Sequence, residues 1–443
     1  MDEHTWRQER DDRTLRYAGR TLNPEQWICI EVESKYASRY DGQVAVIVLA
    51  NLLNRMTKSI AIDIPEINLM PELLWTGESI GAFILSQAKE SDPFTQMCLR
   101  AAVPGDFIIR LGQDGADTIV HGSGWNTYLG PSPSPITPVD DKNPFGAAFA
   151  AVIAASEIFV QNCSPLSGPY CFNTLTWEES FVRDGVPQPA SDTAIGNILT
   201  AGVGSVGTAA LYFLTLLTKN FSASLIDMDR VKRYNLDRSP IFTEAHVGSF
   251  KVLVTQDYLH NLGVQNIRVD ITPLHSSALW IERTQGTPDI VLAAANEMNV
   301  RYYIESGFPP IQIYGTTGQN WQSSLIRHIP FNEACSSCLF PEENPKPQMA
   351  CAAAATRHSS EERIDAALPF LSFAAGLMAA AEIAKLTLPG FPFSQNRVVL
   401  NSRPFPHLVP ARIPKRNNCI CTDRSRTVHQ EMLKGSRYTH LLR

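Results

Sequence analysis

Gly202, Gly204 and Gly207 stand in a G-x-G-x-x-G spacing between an apolar run, AIGNILTAG, and a segment of helical periodicity, VGTAALYFLTLLTK. That spacing suits phosphate. Glycines let the backbone turn tightly and approach a ligand closely, while a helix start offers unpaired N–H groups and the positive end of its dipole. The next apolar run, SASLIDMD, ends in Asp227 and Asp229, acids placed to accept hydrogen bonds from ribose hydroxyls. These features alone admit NAD as readily as ATP. The run IDMDRVKRYNLDRSPIF and the VGSFKV behind it add Asn235, Arg238 and Lys251. A dinucleotide has no need of that trio, whereas charge building on an α-phosphate and a departing pyrophosphate must be met by cations. Taken singly, Arg238 and Lys251 read as ordinary surface cations. Their order behind the glycines favours a triphosphate.

Thiols form a second chemical set. Cys335-x-x-Cys338 is a half-site for Zn2+, and Cys419-x-Cys421 supplies two more thiolates to close a tetrahedron, four free thiols being the alternative. Cys351 follows Cys338 by thirteen residues, within PEENPKPQMACAAAATRHSSEER. That polar, Pro-bearing and then Ala-rich stretch predicts a crossover loop at about 341–363. A thiol there is either a nucleophile or an inert spare, with Arg357 and His358 as neighbours able to lower its pKa. Cys29, Cys98, Cys163 and Cys171 read as core or incidental.

Such residues need a scaffold that gathers loop ends. The apolar runs around the glycines predict strand, turn, helix and strand, and a helix near FKVLVTQDYLHNL with strands at NIRVDITP and PDIVLAAANE continues the pattern. Alternating strands and helices predict a parallel sheet with helices on both faces. The first half repeats the rhythm: WICIEVES and KSIAIDIP as strands, GQVAVIVLANLLNRM as a helix. Between its first strand and helix, KYASRYDG keeps only Gly42. NPFGAAFAAVIAASEIF and AAGLMAAAEIAK are both Ala-rich and carry Glu157 and Glu382 near their ends. The fold class expected is α/β, with tandem Rossmann-like, doubly wound sheets and a C-terminal zinc-stapled segment. Residues 1–165 form the degenerate, inactive half and 166–443 the active one, joined near QNCSPLSGPYC, where Pro, Ser and Gly cluster. Two unrelated α/β units in series is the alternative.

Bulk numbers narrow the partners. With 443 residues, 44% hydrophobic and 19% charged, the chain is globular with more than one core. A formal net charge of -6 leaves no basic surplus for nucleic acid. The opening MDEHTWRQERDDR lacks the apolar stretch of a secretory signal. The run LPFLSFAAGLMAAAEIAKLTL carries Ser372, Glu382 and Lys385, which predicts a buried helix and no membrane span. A cytoplasmic location is expected.

The order G-x-G-x-x-G, D-x-D, N-L-x-R and then lysine resembles the ThiF/MoeB superfamily, which includes the adenylation domains of ubiquitin-activating enzymes. The resemblance is close over about 194–251 and looser onward. It implies Asp227 on the ATP ribose, Asn235, Arg238 and Lys251 around the phosphates, and Zn2+ on the paired cysteines. It also implies Cys351 as the nucleophile that takes an activated carboxyl as thioester and releases AMP. One departure concerns Mg2+. Where the family places an aspartate in D-x-x-x-D-x-x-D-N, this chain reads PDIVLAAANEMNVR, with Asn296 at that place and Glu297 beside it. A neutral oxygen binds Mg2+ more weakly than a carboxylate, so Glu297 substitutes, or ATP and water hold the metal, or adenylation is slow. RTLRYAGR resembles the short N-terminal motif whose arginine reaches a neighbouring active site, which points to Arg16 or Arg20; a solvated charged helix is the other reading.

The function implied is ATP-dependent activation of the C-terminal carboxylate of a small ubiquitin-like protein, transfer to Cys351 and hand-over to a conjugating enzyme, as in compact bacterial systems. The site would be completed by a homodimer or by an intramolecular pseudo-dimer of the two halves. Sulfur-carrier adenylation for cofactor biosynthesis shares the first step, although the extra N-terminal half speaks against it. A catalytically dead nucleotide-binding scaffold is the alternative that Asn296 supports.

Overall fold

The apolar runs pair into two sheets. In the first, β1 (Ile28–Val32), β2 (Ile60–Asp63), β3 (Cys98–Leu99), β4 (Phe107–Leu111), β5 (Thr118–Ser123), β6 (Asn126–Pro131) and β7 (Tyr170–Asn173) lie in the order β3-β2-β1-β4-β5-β6-β7. The second holds β8 (Gly196–Ala201), β9 (Phe221–Ile226), β10 (Ile267–Asp270), β11 (Ile290–Ala293), β12 (Ile311–Gly318), β13 (Gln322–His328), β14 (Arg397–Asn401) and β15 (His407–Ala411), in the order β10-β9-β8-β11-β12-β13-β14-β15. In each sheet the first five strands of that order run parallel and the pairings beyond them are antiparallel. Strand order and direction therefore coincide from sheet to sheet, with β15 as an addition. The computed structural model describes the chain except residues 74–78, 167, 183–184, 284–286, 296–297, 340–367, 391–394, 418, 420, 422–425 and 443.

Helices connect the parallel strands, as crossovers must. Those that matter for the site are α1 (Glu3–Ala18), α2 (Tyr40–Asn54), α3 (Phe145–Gln161), α4 (Ser205–Leu217), α5 (Lys251–Asn261) and α6 (Pro369–Lys385). α1 is capped at both ends: the Asp2 carboxylate accepts from Thr5 N at 2.9 Å, and Gly19 closes it at φ +69°. The Ala-rich segments expected to correspond become α3 and α6. α2 packs on α3, α4 on α6, and α3 on α6, so an apolar helical layer joins the two sheets. Every residue of α6 is buried, and its charges are internal: Glu382 pairs with Arg327 and Lys385 and accepts from Trp177 Nε1 at 2.6 Å. No described helix is long and apolar enough to cross a membrane. The expected join at 165/166 falls short of β7, which pairs with β6, so the chain of the first sheet continues to Asn173.

Candidate nucleotide site and cysteine cluster

The glycine loop spans the gap between β8 and α4, and its glycines meet different constraints. Gly202 adopts φ +90°, and a Cβ there would stand 2.8 Å from the Ala295 nitrogen, so the loop closes against the chain leaving β11. A Cβ on Gly207 would lie 2.3 Å from the Gly202 carbonyl oxygen. Gly204 differs. It is the N-cap of α4 at φ -79°, and among the described residues no side chain caps that helix end and none beyond its chain neighbours comes within 4 Å of the place its Cβ would take. Open space thus meets uncapped amides at the positive end of a helix.

The two acids that follow β9 do different work. Asp227 accepts from Val203 N at 2.7 Å and from Asp229 N at 2.8 Å, tying the glycine loop to the strand end. Burial raises its pKa, against the pull of Lys251 and those amides. Asp229 faces outward and holds Lys251 Nζ at 2.8 Å. Lys251 opens α5, where the helix dipole disfavours a cation, and the Asp229 carboxylate offsets its charge.

Arg238 reaches the glycine loop through its neighbour. Ser239 Oγ and Thr208 Oγ1 are 2.9 Å apart, and these residues directly follow Arg238 and Gly207. Arg238 is only 7% exposed, with Nη1 3.6 Å from Asp237 Oδ1 and its guanidinium 5.6 Å from the Tyr234 ring centroid. Asn235 has a local duty: its Oδ1 accepts from Lys232 N at 2.9 Å and shapes the turn before Arg238. Asn296 and Glu297, on which the Mg2+ expectation rests, lie outside the described residues, as do Cys351 and the crossover segment.

The N-terminal arginines take different places. Arg16 pairs with Asp12 on the surface at 2.9 Å, and Arg20 donates to the Phe159 and Val160 carbonyls at the end of α3. Arg13 instead stands 4.7 Å over Tyr234, the ring that Arg238 also faces. Sequence reasoning missed Arg13, Tyr234 and Asp237. The available signal was Asp237 itself, an acid set inside N-L-x-R.

The corresponding place in the first sheet is filled. Glu33, the residue after β1, lies where Gly202 lies after β8. Its carboxylate accepts from Gln113 N at 2.8 Å and from Asp114 N at 3.4 Å, just past β4. A Cβ on Gly112 would meet that carboxylate at 2.5 Å.

The four cysteines converge as expected. Cys335 Sγ lies 4.0 Å from Cys338 Sγ and 3.2 Å from Cys419 Sγ, and Cys338 Sγ lies 3.5 Å from Cys421 Sγ. All four sulfurs fall within 4.8 Å of one another. A tetrahedron of thiolates about 2.3 Å from Zn2+ sets sulfurs ~3.8 Å apart, and the observed spread brackets that value. Arg416 N lies 3.4 Å from Cys338 Sγ, an amide suited to a thiolate. The donor set is able to hold a metal ion.

The model of the ThiF family matches residues 193–421, just over half of the chain. The sulfur carrier protein adenylyltransferase of Thermus thermophilus is 28% identical over 160 residues, covering 34% of this chain and 57% of that protein. Two solved structures of E. coli MccB are 17% identical. The one with MccA-N7isoASN covers 51% of this chain and 67% of its own, with a TM-score of 0.40. The one with ATP covers 50% and 65%, with a TM-score of 0.38.

Proposed function

The chain belongs to the ThiF family, and from that premise we propose that it transfers AMP from ATP to the C-terminal carboxylate of a small carrier protein. The observation that carries the reading is the uncapped α4 start beside Gly204, with the Asp229–Lys251 pair and Arg238 on the segments that follow. In that reaction a carboxylate oxygen attacks the α-phosphorus and the bond to the pyrophosphate oxygen breaks, giving an acyl-adenylate and pyrophosphate. Amides of the loop would hold phosphate oxygens, and Arg238 and Lys251 would offset charge on the leaving group. Asp227 would accept from the ribose hydroxyls, since each of its oxygens takes one backbone amide and keeps a further acceptor site. We read the fold as tandem Rossmann-like halves. Glu33 in the first-half crevice supports a single nucleotide per chain, and the Cys335, Cys338, Cys419 and Cys421 set supports a structural Zn2+.

A sulfur-carrier protein is the better-supported substrate, from the relative matched over 160 residues. Activation of a ubiquitin-like modifier is the second reading; it adds a thioester on Cys351 and a conjugating enzyme. ATP–pyrophosphate exchange tests the shared step, using a small β-grasp protein with a C-terminal glycine. Exchange should need that protein and be lost in Arg238→Ala. Exchange that persists in the variant sinks the reading, and no exchange with wild type leaves a scaffold. A reducible adduct absent from Cys351→Ala selects conjugation over sulfur-carrier activation.

A further inference from the structure

The segment that carries Arg238 is held largely by the other half of the molecule. Arg55 follows α2 of the first half and is 4% exposed, so its guanidinium lies buried beneath the second half. It donates to the Leu236 carbonyl, to the Pro240 carbonyl at 3.0 Å and to the Phe242 carbonyl at 3.5 Å. Those carbonyls flank Arg238 on both sides. Asn51, one turn earlier, fixes Arg55 Nε through Oδ1 at 2.8 Å and donates to Pro240 O at 3.2 Å.

A second strut comes from α1. Asp237 is fully buried, accepts from Thr14 Oγ1 at 3.1 Å and directs its other oxygen at Arg238 Nη1, 3.6 Å away. Arg10 completes the surroundings and is itself fixed by Asp11 at 2.6 Å and Asp92 at 2.9 Å. Buried charges of this kind are costly for stability alone, and apolar residues of similar volume would pack the same joint at least as well. Their directed bonds fix geometry.

We propose that Arg55 and Asp237 are positioning residues for Arg238, so that the first half sets the pose of the guanidinium that meets the phosphates. The inference rests on the nucleotide-site reading above. Across the joint the described bonds of Arg55 run to backbone carbonyls, which makes it a clamp; Asp237 orients the guanidinium from behind.

The test is a double-mutant cycle read by calorimetric titration with ATP and Mg2+ on the full chain. Arg238→Ala, Arg55→Met and Asp237→Asn should each weaken ATP binding by about tenfold or more, the loss expected for a misaligned charge-assisted bond. Arg55→Met/Arg238→Ala should be no weaker than Arg238→Ala alone, because Arg55 acts through that side chain. Arg55→Lys keeps the charge with fewer donors and should recover part of the affinity; it also serves if the methionine variant does not fold. Losses that multiply in the double variant, or an Arg55→Met chain that binds ATP as wild type does, overturn the proposal. Equal affinity of wild type and Arg238→Ala would instead overturn the nucleotide site itself.

Discussion

Gly202 and Gly204 sit two residues apart in one loop, yet alanine at each should fail in opposite ways. At Gly202 the backbone is left-handed at φ +90°, which costs a non-glycine residue ~1–2 kcal/mol. The added methyl would also press on the Ala295 nitrogen at 2.8 Å and the Ala294 carbonyl carbon at 3.2 Å, an overpacking worth about 1–3 kcal/mol. Gly202→Ala should therefore lose roughly 2–5 kcal/mol and lower the melting temperature by several degrees. At Gly204 the backbone is ordinary and none of the described residues beyond its chain neighbours lies within 4 Å of the new methyl, so stability should move by less than ~0.5 kcal/mol. That methyl would occupy the space in front of the α4 amides. Losing one or two charge-assisted bonds there, at about 1.5–3 kcal/mol each, weakens ATP by roughly 10- to 100-fold or more. Thermal unfolding of the nucleotide-free proteins and calorimetric titration with ATP measure the two effects separately. A Gly204→Ala chain that binds ATP as wild type does would refute the placement of phosphate at this helix end.

The cysteine cluster should carry one Zn2+ per chain by elemental analysis, and Cys421→Ser or strong chelation should lower the melting temperature, since metal binding to such a set is coupled to folding. Glu382→Gln should destabilise by about 3–5 kcal/mol in denaturant titration, because Arg327 and Lys385 then stay buried without that carboxylate. Asp237 has its pKa raised by burial from 3.8 to about 7, with Arg238, Arg10 and Thr14 opposing and Asp11 adding to the rise. A raised carboxyl contributes most below its unfolded value and loses that contribution as pH climbs through its folded one. Stability should thus fall between pH 3.8 and about 7 on account of this group, and Asp237→Asn should flatten that part of the profile while Arg10, Asp11, Arg55 and Asp92 remain.

Much of this was legible in the chain because glycine spacing and apolar periodicity are local properties. The strands around the glycine loop, the Ala-rich helices and the convergence of the cysteine pairs follow from patterns that a few residues display. Features set by tertiary contact were hidden. α1 reads as a solvated charged helix, yet Trp6, Arg10, Asp11 and Thr14 form its buried face. Three of the four are polar, so no hydrophobic stripe announces them. That burial turns Arg13 toward Tyr234 and leaves Arg16 in solvent, a choice that one residue of helical phase decides. β7 was hidden by composition, since YCFN is four residues long and follows a Pro- and Ser-rich stretch. Asn235 reads as a ligand from its place in N-L-x-R, and the turn that its oxygen closes is a contact that motif does not announce.

The two sheets share strand order and direction, so their difference must come from what fills the crevice at the strand ends. In the second sheet the residue after β8 is Gly202, which lets the loop fold back on Ala295 and leaves space before α4. In the first, the residue after β1 is Glu33, whose carboxylate accepts from the amides past β4. An internal carboxylate thus sits at that strand end, bonded to amides past the strand that corresponds to β11. The remainder of the half still has to pack. Through Asn51 and Arg55 it meets the stretch from Leu236 to Phe242, and through Trp6 and Thr14 of α1 it meets Glu244 and Asp237. Every one of those contacts falls on the segment that delivers Arg238. On the reading proposed above, the first half thereby serves as a mould for the site of its neighbour.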